Sequence, residues 1–296
     1  VDRVEEKIKN VFVVAEAGAN HDRNFEQALE LINVAIEAKV DAVKFQTYSS
    51  ETLYSTYTPD FAGYDNITKL IKDIELPRSW QRDLKLYCDD NNVEFMSTPF
   101  DERAVDELHD LGVKRFKIAG FECTDPRLVK YVACAKLPLI ISVGIGTNLD
   151  TMNDIRGWIL EVNKDPDITF LHCNNAYPTP YEDINLGHMC EMMKYFNSSD
   201  IKIGLSDHTE GILIPPIAAA MGAKVIEKHY TVDRNLPGPD HPFAIEPDEL
   251  KEMVKNIRTA ETVSGIKTEE YTQSEQEFSK GRRSVVAKNN IKEGDI

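Results

Sequence analysis

Apolar residues in this chain fall in short blocks separated by longer, one-sided patterns. The blocks are VFVVAEAG (from Val11), AVKFQ (Ala42), EFMSTP (Glu94), RFKIAG (Arg115), LPLIISVG (Leu137), ITFLHCN (Ile168), IKIGLSDH (Ile201) and KVIEKHY (Lys224). Short runs rich in Val, Ile and Phe read as buried strands. Between them, FEQALELINVAIEA repeats apolar residues at i, i+3 and i+4, which puts them on one face of a helix. Helical patterns are predicted near 25–38, 78–91, 101–111, 126–135, 150–163, 185–196, 211–222 and 247–264. The last has Pro247 near its start and acids in its first turn, where the exposed N–H groups favour them. Alternating strand and helix predicts an α/β fold with a parallel sheet. Eight such units predict a closed (β/α)8 TIM barrel. An open doubly wound sheet is the alternative, but no GxGxxG follows any of the strands. The barrel is assigned to residues 1–265 and a polar linker to 266–281. Residues 282–296, with SVVA opening a new strand, are read as the start of a second small domain.

The rim of such a barrel is where chemistry is expected, at the C-terminal ends of the strands. Here those ends are polar: Glu16, Lys44 with Gln46, Ser97 with Thr98, Lys117 with Glu122, Ser142, Asn174 with Asn175, Ser206 with His208, and Glu227 with His229. Side chains two apart on a strand share a face. Lys44 and Gln46 therefore point together, as do Ser206 and His208, and Glu227 and His229. A lysine facing into an apolar barrel must be paired or hold an anion, and two of them suit a phosphate and a carboxylate. Each lysine read alone is equally an ordinary solvated one. His208 and His229 end consecutive strands, so they are either satisfied polar residues or a pair of metal ligands. Imidazole with oxygen ligands suits Mn²⁺, Mg²⁺ or Zn²⁺, and two protein ligands would leave positions open, as catalytic sites do. Two loops add to the rim. NNAYPTPYE (174–182) carries Tyr177, and LPGPDHPF (236–243) is stiffened by Pro237, Pro239 and Pro242.

Composition narrows the partners. With 42% hydrophobic residues in 296, the chain can bury one large core. Its 50 acids against 34 bases give a formal net charge of -16, which argues against nucleic acid or an anionic membrane surface as partner. An anionic substrate would need a local cationic pocket. No apolar run approaches a membrane span, and VDRVEEKIKNVF lacks the apolar core of a signal peptide. Five scattered cysteines without a CxxC fit a reduced, cytoplasmic protein.

The motifs AEAGANHD, KFQTY, STPFD, FKIAGFE, LHCNNAYPTP, GLSDHTEG and EKHYTVD…GPDH occur in order along nearly the whole chain. Together they resemble the sialic acid synthase family of N-acetylneuraminate, legionaminate and pseudaminate synthases. The tail GRRSVVAKNNIKEGDI resembles the start of that family's C-terminal antifreeze-like domain, with the rest missing. The resemblance implies condensation of phosphoenolpyruvate with an N-acetylated amino-sugar aldehyde, giving a nine-carbon 2-keto sugar acid and phosphate. It implies that Lys44, Gln46, Thr98, Lys117, Ser142, Asn175 and Ser206 hold phosphoenolpyruvate. By the same route Glu16, Lys117 and His229 are expected to be catalytic. A divalent metal, Mn²⁺ or Mg²⁺, would sit on His208 and His229. Asn66, Glu122, Tyr177 and Asp240 would contact the sugar, and a homodimer is implied. Two motifs depart from the neuraminate branch. AGFE stands where GSGE is usual, so Gly120 replaces a serine, and SVGI stands for STGM. GPDHPF, by contrast, is similar to the neuraminate and legionaminate branches. Three other readings remain: a condensing enzyme for a phosphorylated aldose, a Schiff-base aldolase using Lys117 or Lys44, and a non-catalytic sugar- or metal-binding paralog.

Overall fold

The computed structural model describes residues 11–55, 57–59, 66–197, 199, 201–265 and 272–294. All eight expected strands form: β1 (Phe12–Glu16), β2 (Ala42–Thr47), β3 (Glu94–Pro99), β4 (Phe116–Ile118), β5 (Leu139–Val143), β6 (Ile168–Cys173), β7 (Lys202–Asp207) and β8 (Val225–His229). They pair in parallel in the order β3-β2-β1-β8-β7-β6-β5-β4. The interleaved helices are α1 (Phe25–Ala38), α2 (Ile67–Ile74), α3 (Gln81–Asp90), α4 (Glu102–Leu111), α5 (Pro126–Cys134), α6 (Leu149–Val162), α7 (Leu186–Tyr195), α8 (Ile214–Ala220) and α9 (Pro247–Val263). This is the (β/α)8 barrel that the alternation predicts. Most helix starts carry an oxygen that accepts from free N–H groups: Asn24 for α1, Asp101 for α4, Asp125 for α5 and Asn148 for α6.

Two apolar layers set the site's position. A large core lies between the strands' outer faces and the helices, with Val13, Phe45, Phe116 and Phe170 on the strand side and Leu31, Leu84, Val132 and Ile257 on the helices. A second, smaller cluster plugs the barrel itself: Val14, Ala42, Met96, Ile140, Leu171 and Val225. Gly204 sits in this interior because a side chain there has no room. An added Cβ would lie 2.3 Å from the Val225 carbonyl oxygen and 2.7 Å from Leu171. The barrel is nearly closed: β3 and β4 are the ends of the sheet and lie side by side at its seam without forming a ladder. There Arg115 donates two hydrogen bonds to Glu94, at 2.6 and 3.1 Å, while its guanidinium covers the Phe12 ring at 4.2 Å. The charged groups of the site lie above the apolar plug, at the C-terminal ends of the strands.

The sequence pattern missed α2, whose buried Ile67 and Ile71 pack with Tyr48 in a satellite cluster. No helix among the described residues is long and apolar enough to cross a membrane. The chain divides into two units, Val1–Val263 and Ser264–Ile296. In the second, a capping box of Thr272 and Glu275 starts the short helix α10 (Gln273–Gln276). The expected strand at 284–287 does not form: Val285 and Val286 are exposed and lie in no strand. Residues 266–271 of the expected linker lie outside the described ones.

Candidate active site

The strand ends converge as expected. One cavity is lined by Glu16, Lys44 and Gln46 from β1 and β2, Thr98 from β3, Lys117 and Gly120 at β4, and Ser142 from β5. Asn175 and Tyr177 from the loop after β6 continue the wall, and Ser206, His208, Glu227 and His229 from β7 and β8 complete it. The strand register explains the convergence. Glu16 is level with Lys44 on one side and His229 on the other, and Ser206 with Glu227.

Both lysines are only 2% exposed. Lys44 Nζ lies 2.7 Å from Glu16 Oε2 and 3.7 Å from Glu227 Oε1, and donates to Thr98 Oγ1 at 2.9 Å. Lys117 Nζ lies 3.3 Å from Glu227 Oε1. Gln46 donates to Glu16 Oε1 at 2.8 Å, and Ser206 Oγ to Glu227 Oε1 at 3.2 Å. Glu227 is therefore the hub joining both lysines, a role the sequence reading did not give it. Its strand parity was legible, but its partners come from strands far apart in sequence.

Burial opposes charge on every member, and neighbours decide the outcome. Burial resists ionisation of Glu227, but Lys117 and Lys44 outweigh it and lower its pKa. For Glu16 burial wins: Lys44 pulls down, Glu227 pushes up, and the pKa is raised to about 7. Lys44 is desolvated too, yet the two carboxylates raise its pKa. Lys117 has a smaller share of negative charge, so burial dominates and its pKa is lowered. The two lysines thus face two carboxylates within the cavity.

Above this layer the two histidines meet, with ring centroids 5.4 Å apart. Burial drives the His208 pKa down to about 4 and the His229 pKa well below its usual value. Both are thus neutral imidazoles at neutral pH, the form that ligates metals. His208 Nδ1 is 2.7 Å from the Asn174 carbonyl oxygen. That carbonyl only accepts, so it fixes the proton on Nδ1 and leaves Nε2 with a lone pair. His229 Nδ1 is buried without a hydrogen-bond partner. Tyr177 covers both rings, 4.3 Å from His208 and 6.2 Å from His229 between centroids. Among the described residues no three or more His, Cys, Asp or Glu side chains are arranged so that they could hold a metal ion together. A cation there would have two imidazoles and open positions, and two neutral imidazoles, one of them oriented by the Asn174 carbonyl, fit that demand.

Other expected residues are placed differently. Asp240 is not among the residues lining the lysine chamber. It accepts from the Ala19 N–H at 3.1 Å and stands 3.8 Å from His229 Nδ1. Glu122, one turn beyond β4, has a buried unpartnered Oε2, and burial raises its pKa to about 7. Asn66 does not join the chamber: it is exposed, and its side chain accepts from Lys69 N–H as the cap of α2. Residues 60–65 of its loop lie outside the described ones. Gly120 and Gly144 flank the Asn175 amide, and a Cβ would lie 3.0 Å from it at Gly120 and 2.0 Å at Gly144. The serine absent at 120 would thus crowd Asn175. Lys228, between the inward-facing Glu227 and His229, does not line the chamber and is buried in an ion pair with Asp207 at 2.7 Å. Cys173, which sequence reasoning left unassigned, also lines the chamber, with a thiol pKa pushed up to about 12 by burial. It is therefore no thiolate nucleophile.

The chain is similar to known proteins along most of its length. Residues 31–269 match the model of the NeuB family. An N,N'-diacetyllegionaminic acid synthase of Legionella pneumophila is 38% identical, with 96% of this chain and 82% of that protein aligned. A pseudaminic acid synthase of Campylobacter jejuni (serotype O:23/36) is 34% identical over 97% of this chain and 84% of its own length. Among solved structures, an N-acetylneuraminic acid (sialic acid) synthetase from Leptospira borgpetersenii superposes with a TM-score of 0.83 at 32% identity, covering 93% of this chain and 92% of that one.

Proposed function

The chain belongs to the NeuB family and is an enzyme of that type, and from this premise we propose that it condenses phosphoenolpyruvate with the aldehyde of an N-acetylated amino sugar. The product is a nine-carbon 2-keto sugar acid plus phosphate. The observation that carries the reading is the pair of buried lysines, held near neutrality by Glu16 and Glu227 beneath two neutral imidazoles. An anion bearing a phosphate and a carboxylate satisfies both lysines, with Thr98, Ser142, Ser206 and the Asn175 amide as further donors.

In this reading C3 of phosphoenolpyruvate bonds to the aldehyde carbon, whose oxygen takes a proton. Positive charge develops at C2, and the Glu16 carboxylate, level with Lys44 and His229, stabilises it. Water then bonds to C2; Glu16 accepts one of its protons and so replaces the proton taken up at the aldehyde oxygen, and the other leaves with the phosphate as the C2–O bond breaks and the C2 carbonyl forms. Glu16, with a pKa of about 7, is well matched to hold and release a proton near neutrality. Lys44 and Lys117 stay with the phosphate and offset its charge as it leaves. A divalent cation, Mn²⁺ or Mg²⁺, held by His208 and His229 would supply Lewis-acid polarisation of the aldehyde. Tyr177, Glu122 and Asp240 are proposed sugar contacts.

A phosphorylated aldose would need free basic residues near the rim. Arg78, Arg103 and Arg127 do line one surface pocket. Each already faces carboxylates: Arg78 pairs with Asp101 and Glu107, Arg103 with Glu107, and Arg127 lies near Glu102. That arrangement favours the unphosphorylated sugar. A reducing, cytoplasmic setting is part of the proposal, resting on five scattered cysteines without a CxxC. Homodimerisation is part of the proposal and is read by light scattering.

The deciding experiment is phosphate release over a panel of N-acetylmannosamine and diacetamido-dideoxy sugars. Release is expected only when phosphoenolpyruvate, a sugar aldehyde and the metal are all present. Release that persists in chelator sinks the metal assignment, and borohydride trapping of pyruvate on a lysine would replace the condensation with an aldolase.

A further inference from the structure

The segment Asp240–Phe243 touches the site in a way that the condensation reading leaves unexplained. Its His241 is fully buried and bonded at both ring nitrogens. Nδ1 meets Thr231 Oγ1 at 2.6 Å, and Nε2 meets Asp22 at 3.0 and 3.1 Å. Gln27 donates to the same Asp22 carboxylate at 2.7 Å. The loop after β8 is thereby tied to the loop after β1. On either side of this anchor the segment presents something to His229. Asp240 Oδ2 stands 3.8 Å from His229 Nδ1, and the Phe243 ring lies edge-on to the imidazole at 5.1 Å. Gly18, at φ 51, makes room for this contact, since a Cβ there would lie 2.5 Å from Asp240 Oδ2 and 3.3 Å from His229.

The matching arrangement at His208 gives the contact its meaning. There the Asn174 carbonyl oxygen fixes the proton on Nδ1. At His229 the corresponding nitrogen, Nδ1, is buried without a hydrogen-bond partner, and the Asp240 carboxylate stands 3.8 Å from it, just beyond hydrogen-bond reach. We infer that Asp240 is a positioning residue for His229, fixing its Nδ1–H tautomer so that both imidazoles present Nε2, and that His241, clamped between Asp22 and Thr231, anchors the segment that holds it. An acceptor behind a ligating imidazole typically changes metal affinity 10–100-fold. The inference builds on the proposed metal-assisted reaction, but its first test needs neither metal nor turnover.

That test is the long-range ¹⁵N–¹H imidazole spectrum of the metal-free full chain at neutral pH, with His229→Gln for assignment. His229 is expected as the Nδ1–H tautomer, shifting to a mixture in Asp240→Asn and His241→Gln. A His229 in the Nε2–H form, or one unmoved by Asp240→Asn, overturns the inference. Titration with Mn²⁺ alone gives the second readout: a dissociation constant about 10–100-fold weaker in Asp240→Asn. An unchanged constant with only a raised KM for the sugar makes Asp240 a sugar contact and nothing more. Thermal melts of both variants separate loss of positioning from loss of fold, and Asp22→Asn, which loosens the anchor from the other side, reproduces the effect if the clamp acts as described. Absence of any Mn²⁺ binding by the unsubstituted chain would remove the metal from the proposed function, while the tautomer result still decides the positioning role.

Discussion

Single residues in the chamber are tuned by burial against a few close charges, and two substitutions expose that balance. Glu227→Gln leaves Lys117 without its 3.3 Å partner and Lys44 with Glu16 alone. Breaking a buried pair costs up to roughly 3–5 kcal/mol, moderated because Lys117, with its lowered pKa, sheds a proton readily. Inorganic phosphate should raise the melting temperature of this variant more than that of the parent, since its charge takes the missing carboxylate's place. Equal shifts would show that the lysines do not receive the anion. Glu122 gives a pH test with a definite sign. Its folded pKa of about 7 lies above the ordinary 4.5. Below pH 4.5 the group is protonated folded or unfolded, and the full stabilising preference for the neutral form is present. It is lost as pH rises from 4.5 through 7, to a total of up to roughly 3 kcal/mol. Glu122→Gln removes that slope. Urea unfolding should show the variant close to the parent at pH 4.5 and clearly more stable at pH 8, and parallel pH curves would refute the buried-carboxyl account.

At the scale of elements, the barrel was legible because each strand is buried on both faces and so reads as an apolar block, while α1 and α9 expose one polar face. The eight-residue helix α2 was not, since a short amphipathic turn inside a loop gives too few repeats to stand out. Strand parity also predicted which rim residues share the chamber, from Lys44 and Gln46 to Glu227 and His229. It did not predict the clamp, because His241 and Asp22 lie 219 positions apart and meet only when β8 closes on β1. Inside the barrel, packing leaves no tolerance at Gly204. Gly204→Ala drives a methyl to 2.3 Å from the Val225 carbonyl, on a strand pair that cannot separate without breaking its ladder. A loss of about 1–3 kcal/mol or more is expected. Gly157→Ala on α6, where a Cβ meets nothing within 4 Å, should instead gain roughly 0.5–1 kcal/mol from helix propensity. If both variants melt alike, the close approach of β7 and β8 is not as described.

For the molecule as a whole, the proposed substrate carries negative charge toward a chain of net charge -16. Two opposing fields act on it. The lysines attract it at contact range, but they are buried and largely neutralised by Glu16 and Glu227, so their reach beyond the mouth is small. The surplus of surface acid acts further out and repels. Salt screens the second far more than the first, because exposed charges lose their influence beyond a Debye length of about 10 Å at 0.1 M, whereas buried pairs are screened much less. Raising ionic strength from about 10 mM to 0.15 M should therefore raise kcat/KM for phosphoenolpyruvate while leaving kcat nearly unchanged, the opposite of a site that steers its anion in from afar. The check is a salt series at fixed pH and saturating sugar and metal, using an inert monovalent salt so that no added anion competes for the lysines. A kcat/KM that falls steeply with salt would mean the chamber's cations are not neutralised at rest, and the reading of Glu227 as their resting partner would fall with it.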